Sequence, residues 1–500
     1  MEQDVLHLVL GDRPPDMTAA EWADFGRWLE RITAPDYRRW ETDVRRIEGC
    51  AHPVRLAGSV LLVDSATGEI LHELTSDKHA PLMVPCGNRR RAWCAPCSRV
   101  YQWDTWHLVK AGLAGGKGVP ASVSTHPRVL LTLTAPSFGP VHTRSADGAC
   151  RPRRDGGECE HGIPSACWMR HAAEDPLIGA PLCAACYDYA GAVLWNAHAG
   201  RLWSRFTDVV RRQELPRAAG VSKAEFARLA CLSFVKVAEF QRRGLVHFHA
   251  VMRLDPPEQG GALPDWADHE IIAASARRAA SRARVVTCPS RVGQWNLTWG
   301  AQVDVRPIPE TGDGSADKVA AYIAKYVTKA AEESGTVDFP LYCKGCRGTG
   351  LARVCHHCGG TGLRIPLSAL RVSSHVREFI TTAWRLGRLP EFRDLKLRRW
   401  AHQLGYGGHF STKSRAYSTT LTTLRAARAN YRADQLSKRF NTAGKLIVDS
   451  DLRFVGTGYA SKTEEQIAEG IRDAIAENRR IAREALADLR WRESDHWEVE

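Results

Sequence analysis

Two short motifs carry residue types and spacings suited to chemistry at a phosphodiester. The first is His247-Phe248-His249, within EFQRRGLVHFHAVM. Side chains alternate faces along a strand, so both imidazoles point one way and Phe248 points behind. A hairpin through the QRRG turn brings the Glu239 carboxylate across as a neighbour. Two imidazoles and a carboxylate suit Mg²⁺, Mn²⁺, Zn²⁺ or another divalent ion. Such an ion grips phosphate oxygens and neutralises charge developing at phosphorus. The same HxH pattern also arises by chance in ordinary sheets.

The second motif is Tyr322-Ile323-Ala324-Lys325-Tyr326, within VAAYIAKYVTKA. Residues four apart share a helix face, so Tyr322 stacks above Tyr326, and Lys325 above Lys329. A phenolic oxygen that attacks phosphorus leaves a 5′-phosphotyrosine and a free 3′-OH, and the covalent link keeps the ester available for rejoining. A neighbouring ammonium stabilises the phenolate or the transferring oxygens. Two tyrosines permit a second cleavage while the first remains occupied. An amphipathic core helix with snorkelling lysines would read the same way.

Elements to position these motifs are legible around them. PRVLLTLTAPSF is a β-branched and leucine-rich run ending at a Pro-Ser turn, and predicts a strand over 127–138. CLSFVKVAEFQ and GLVHFHAVMRLD predict two strands joined at Arg242-Arg243-Gly244, and Val303 to Arg306 returns as another. Helices are expected in AGAVLWNAHAGRLWSRFTDVVRRQELPRAAG, stopped by Gly220, and in HEIIAASARRAASRA and DKVAAYIAKYVTKAAEE. TAAEWADFGRWLERI predicts a helix capped by Thr18, and VRLAGSVLLVDSATGEILHEL a hairpin turning after Asp64.

The 500 residues are enough for two to four domains with real cores. A formal charge of +13 suits a polyanionic partner, although ribosomal or merely basic proteins share it. The N-terminal residues lack a basic n-region and a long apolar stretch, and no run of 18 apolar residues occurs. The expectation is therefore a cytoplasmic chain with no membrane partner.

The cysteines are clustered. Cys343, Cys346, Cys355 and Cys358 form CxxC-x8-CxxC, a strong structural zinc pattern with glycines that permit knuckle turns. Its CxxCxGxG halves resemble repeats of DnaJ-type chaperones, but two repeats do not make a chaperone. Cys86, Cys94 and Cys97 supply three ligands, with His107 or a distant cysteine as the fourth. Cys183 and Cys186 pair most plausibly with Cys159 and Cys167, in competition with Cys150, His161 and His171. Two to three structural Zn²⁺ sites are expected. Cys50 stands alone, and Cys231 and Cys288 read as small buried apolar residues.

Basic residues gather at Arg89-Arg90-Arg91, Arg151 to Arg154, Arg242-Arg243 and Lys396 to Arg399. The His402–Arg415 stretch, with Lys413 and Arg415, suits phosphate contacts from a flexible loop. The helices of 370–433 can include a helix-turn-helix-like duplex reader. Any single cluster is equally a solvated basic face.

Taken in order, LLTLTAPSFG, EFQRRGLVHFHAVM and VAAYIAKYVTK resemble the three motifs of rolling-circle replication initiators of the HUH endonuclease superfamily. More narrowly, the chain resembles the initiators of actinomycete plasmids and integrative elements. CGNRRRAWCAPCSRVYQWDTWHLVKAGL, GAPLCAACYDYAGAVLWNAHAGRLWSRF, LGYGGHFSTKSRAYSTTLTTLR and RFVGTGYAS carry that narrower likeness, which runs over about residues 85–460. The resemblance implies an α+β fold: an HUH-type central antiparallel sheet with helices on one face, zinc-binding insertions, and a mostly helical C-terminal region. It assigns Thr132 and Thr134 to the first, structural motif. His247 and His249 match the metal histidines, with Glu239 a third ligand. Tyr322 and Tyr326 match the nucleophiles and Lys325 the motif lysine. Arg242, Arg243, Lys329, Lys413 and Arg415 are candidate DNA contacts.

The implied organisation is an accessory region over 1–80, a zinc-binding segment over 81–125, and the endonuclease domain over 126–340 with a cysteine-rich insertion at 143–190. A zinc ribbon follows over 341–365, then a basic helical DNA-binding region over 366–460 and a terminal helix over 461–500. The implied activity is nicking of one strand of origin DNA, single-stranded at the nick, with Mg²⁺ or Mn²⁺, to leave a 3′-OH for rolling-circle synthesis. A host helicase and DNA polymerase would be its partners. A relaxase or transposase would share the chemistry, and a zinc-containing regulator without enzymatic activity would share the cysteines.

Overall fold

The hairpin that carries the histidines sets the architecture. Strand Cys231–Phe240 pairs antiparallel with Val246–Asp255, so that Glu239 stands opposite His247 and Val237 opposite His249. The turn closes at Gly244, whose φ of 78° is open to glycine and whose missing Cβ would sit 2.9 Å from the Phe379 ring. Arg128–Leu133 adds on the other side of the histidine strand, with Thr132 opposite His249. Val303–Pro307 and Ser411–Lys413 complete the edges of a five-stranded antiparallel sheet. The computed structural model describes residues 13–150, 157–309, 314–329, 334–349, 355–442 and 444–495.

Alternation gives this sheet one apolar face. Leu131, Leu133, Phe248, Ala250 and Met252 are fully buried there. Helices Tyr189–Val209 and His269–Arg282 contribute Trp195, Leu202, Phe206, Ile272 and Ala276 to the same core. Buried Glu214, in a π-helical turn that continues the first of them, binds Arg278 and Arg282 of the second at 2.9 and 2.6 Å.

The opposite face is polar and bears Thr132, Glu239, His247 and His249. Further along it, Arg128 and Arg253 are almost completely buried. Arg128 donates to Leu113 O at 2.7 Å, and Arg253 donates to Gly112 O. These are terminal carbonyls of helix Ala95–Ala114, which have no intrahelical partner, so the arginines cap that helix against the sheet. Helix Ser315–Val327, which carries both tyrosines, packs on this polar face beside the Glu239 strand.

The residues group into two units, 102–424 and a second made of 1–101 with 425–500. The second opens with helix Ala19–Thr33, closed by a capping box in which Thr18 and Glu21 exchange hydrogen bonds. Its sheet runs Leu446–Thr457, Val54–Asp64, Ile70–Ser76, with Leu82–Val84 also paired to Val54–Asp64. Leu446–Thr457 corrects the expectation of a helical 366–460 region. Its backbone pairs in register with the eleven residues of Val54–Asp64, a pairing local sequence does not announce. Helix Lys462–Asp495 supplies Ile467, Ala468 and Ile471 to a core with Val44, Ile47 and Met83.

Candidate active site

Glu239 is the hub of the polar face. Its Oε2 lies 2.8 Å from His247 Nε2 and 3.3 Å from His249 Nε2. Its Oε1 accepts from Lys329 Nζ at 2.9 Å. Burial alone would raise the carboxyl pKa, but hydrogen bonds from His247, His249 and Lys329 outweigh it and hold the group well below the usual carboxylate range. Burial also lowers the His249 pKa, which favours the neutral ring with a free lone pair. One ligand atom from each of Glu239, His247 and His249 lies within 4.8 Å of the others, so the donor set converges as a divalent-ion site requires.

The tyrosine helix closes over these groups. Tyr322 OH stands 3.3 Å from His249 Nδ1, and Thr132 Oγ1 lies 3.0 Å from the same nitrogen. His249 therefore presents Nε2 to the carboxylate and Nδ1 to two hydroxyls. Tyr326 lies over the His249 ring with centres 4.7 Å apart and planes 22° from parallel, while Tyr322 meets it edge-on at 5.2 Å. Lys329 Nζ is 5.3 Å from the Tyr326 ring centre and the exposed Lys325 is 5.9 Å from it. Thr132, assigned above to a structural strand, is thus a direct neighbour of the site. Its place opposite His249 follows from strand register, which the sequence alone does not supply.

The expected DNA contacts divide. Arg243 is half-buried and donates to Ala135 O and Pro136 O at 2.8 and 3.0 Å, holding the chain that leaves the Thr132 strand. Lys413 donates to Ser418 O at 2.8 Å and to Ser414 O, within a segment that forms a strand rather than a flexible loop. Lys329 is turned to Glu239. Arg242 stays exposed while touching Ala173 O and Glu174, and Arg415 is exposed. Within 370–433, helix Ser374–Leu386 is followed by 3-10 turns at Pro390–Leu395 and Ala401–Gln403, and helix Leu421–Phe440 begins after them.

Cysteines and histidines gather into four clusters among the described residues. Cys343, Cys346, Cys355 and Cys358 converge, with Sγ separations of 3.7 Å for Cys343–Cys355 and Cys346–Cys358. Cys86, Cys94 and Cys97 are joined by Cys50, at 3.6 Å for Cys86–Cys97 and 3.7 Å for both Cys94–Cys50 and Cys97–Cys50. Tetrahedral Zn–S bonds of about 2.3 Å place sulfurs about 3.8 Å apart, so both sets fit zinc. Cys50 is thus not solitary, and His107 is not in the cluster.

The pairing expected for Cys167 is also corrected. Cys159, Cys183 and Cys186 gather with His161, whose Nδ1 is 3.2 Å from Cys186 Sγ, while Cys167 joins Cys150, His142 and His171. His171 Nδ1 meets Asp175 at 2.7 Å, which leaves Nε2 facing Cys167 at 3.7 Å, the orientation of a metal-binding imidazole fixed by a carboxylate. Cys288, expected to be buried, is exposed.

The antiparallel sheet thus carries a His-x-His strand and a facing carboxylate that could hold a metal ion, with two tyrosines overlying them. The family described as "RepSA: Replication initiator protein, pSAM2" matches residues 36–473. A "Replication initiator protein" of Streptomyces ambofaciens is 42% identical over 489 residues, covering 95% of this chain and 98% of that relative. The chain belongs to this family of replication initiators. No solved structure matches it. No helix among the described residues is long and apolar enough to cross a membrane.

Proposed function

We propose that this initiator nicks one strand of origin DNA through a tyrosine and remains joined to the 5′ end. The observation that carries this reading is the convergence of Tyr322 OH, His249, His247 and Glu239, with Tyr322 3.3 Å from His249 and Glu239 2.8 Å from His247. Glu239 Oε2 and the two Nε2 atoms would hold Mg²⁺ or Mn²⁺. When bound, that ion supplies charge neutralisation at the scissile phosphate.

The chain's own groups do the rest. Tyr322 Oη forms the new bond to phosphorus as the P–O3′ bond breaks. The phenolic proton leaves to solvent, and the departing 3′ oxygen takes one up. The product is a 5′-phosphotyrosine and a 3′-OH from which a polymerase can extend, with a host helicase opening the duplex. Reversal with the same atoms rejoins a strand. Tyr326 offers a second nucleophile on the same ring stack. Lys329 fixes Glu239 through Oε1, and the exposed Lys325 meets the incoming phosphate. The four Cys/His clusters hold structural Zn²⁺, and the reaction takes place in the cytoplasm.

The test is incubation of the protein with labelled single-stranded origin DNA and Mn²⁺ or Mg²⁺, followed by denaturing electrophoresis. A protein-linked labelled product is expected. Absence of any adduct from folded protein, across a tiled set of origin oligonucleotides, overturns the enzymatic reading and leaves a zinc-containing DNA-binding initiator. Transfer or transposition without origin-dependent replication would favour a relaxase or transposase instead.

A further inference from the structure

One large cavity among the described residues shares no residue with the tyrosine site. It is a groove of about 1120 Å³ between the Cys343–Cys358 knuckle and the segment after helix Ser374–Leu386. Lys344 and Arg347 come from the knuckle, and Arg388, Arg393, Lys396 and Arg399 from the facing segment. All six side chains are exposed, and among the described residues no carboxylate lines the groove. Like charges so placed repel, and a bound polyanion would relieve that repulsion.

The two walls are fixed rather than loose. Arg398 reaches across and donates to Gly348 O at 2.7 Å and Thr349 O at 2.9 Å, with its guanidinium 5.0 Å from the Trp384 ring centre. Below the walls, Phe392, Leu389 and Leu397 are buried. Lys396 and Arg347 both stand in left-handed backbone, at φ of 52° and 51°, conformations that non-glycine residues hold only where surrounding structure imposes them. Gly348, Gly360 and Gly387 also line the groove.

We infer that this groove is a second DNA-binding site, separate from the nicking centre, which takes the sugar–phosphate backbone through the six cations. The polymer's identity rests on the replication-initiator reading; the site itself rests on the charge and shape of the groove. Guanidinium and ammonium groups along a groove grip phosphates without reading bases. The groove thus anchors origin DNA whatever the sequence at the nick.

The test compares two variants with the same change in net charge. One is Arg388→Gln, Arg393→Gln, Arg399→Gln in the groove. The other is Arg205→Gln, Arg217→Gln, Arg228→Gln, three exposed arginines far from it in sequence. Binding of labelled duplex and single-stranded DNA is measured across a salt series without added Mg²⁺ or Mn²⁺, so the result does not depend on nicking. Zinc content and thermal melting are read alongside to establish that each variant is folded.

The groove variant should lose at least about tenfold in affinity. Its plot of log affinity against log salt should flatten by up to about 2.7 for duplex or about 2.1 for single-stranded DNA, from three lost phosphate contacts. The control should lose much less. The DNA form that shows the larger flattening is the one the groove holds. Equal affinities and slopes for the two variants, with both forms, overturn the proposal. A protein that makes no covalent adduct yet loses binding in the groove variant refutes the nicking reading and leaves this one standing.

Discussion

Tyr326 lies flat on the imidazole of His249, ring centres 4.7 Å apart, while Tyr322 brings its hydroxyl to the Nδ1 of the same ring at 3.3 Å. The two phenols are therefore inequivalent: one is presented by its oxygen and the other by its face. Under the proposed mechanism, this geometry assigns the first attack to Tyr322. Tyr322→Phe should reduce the protein–DNA adduct by at least about 10³-fold, as expected for loss of a nucleophile. Tyr326→Phe should still form the first adduct and fail in a second transfer. Adduct yields from single and consecutive cleavage substrates check this, and a Tyr326→Phe protein without any first adduct reverses the assignment.

Glu239 divides its two oxygens between the histidines and Lys329. Lys329→Met frees one oxygen and lets the carboxylate rotate. Loss of such a supporting partner should weaken Mn²⁺ binding by about 10–100-fold, and Lys329→Arg should restore part of it. Glu239→Gln, which removes the ligand charge itself, should weaken binding more. Calorimetric Mn²⁺ titration of the three proteins gives the order; equal affinities would remove Glu239 from the ligand set.

The candidate site was legible where distances along the chain are short and lost where they are long. Glu239 and His247 flank one tight turn, so strand alternation alone puts them side by side. Tyr322 lies 73 residues from His249, and the sequence brings them together only through family resemblance. Cys50 was missed because a hairpin separates it from Cys86, and nothing in its own surroundings marks it. Strand Leu446–Thr457 was missed because its partner lies near the other end of the chain. Arg243 was hidden for a different reason: charge in a turn is read as solvent-facing, whereas its half-buried guanidinium donates to the carbonyls of Ala135 and Pro136.

The corrected cysteine grouping has a counting consequence. Four clusters predict about four zinc ions per chain, where two to three were expected. Cys50→Ser should lower the count by one. Cys150→Ser and Cys167→Ser should each remove one ion and, combined, still only one, whereas Cys167→Ser with Cys183→Ser should remove two. Metal analysis of purified protein decides it. Loss of a single ion in the Cys167/Cys183 double variant would return Cys167 to the Cys159 group.

Lys236 points into the apolar face of the sheet, where its ammonium sits 4.0 Å from the Phe248 ring centre and donates only to His409 O, at 3.2 Å, among the described residues. Burial lowers its pKa from 10.5 to about 7. Between those values the unfolded chain binds a proton that the folded chain does not, so this residue makes stability rise with pH across that window; below about pH 7 its penalty is constant and full. Lys236→Met keeps the aliphatic stem and removes the charge. The variant should melt higher than the parent at pH 7, by roughly 1–2 °C for each kcal/mol recovered. The gap should narrow as the pH is raised towards 10, because the parent sheds its penalty and the variant has none to shed. Melting curves of both proteins over pH 6–10 test this, and a gap that stays constant or widens with pH would mean that Lys236 keeps its proton in the fold.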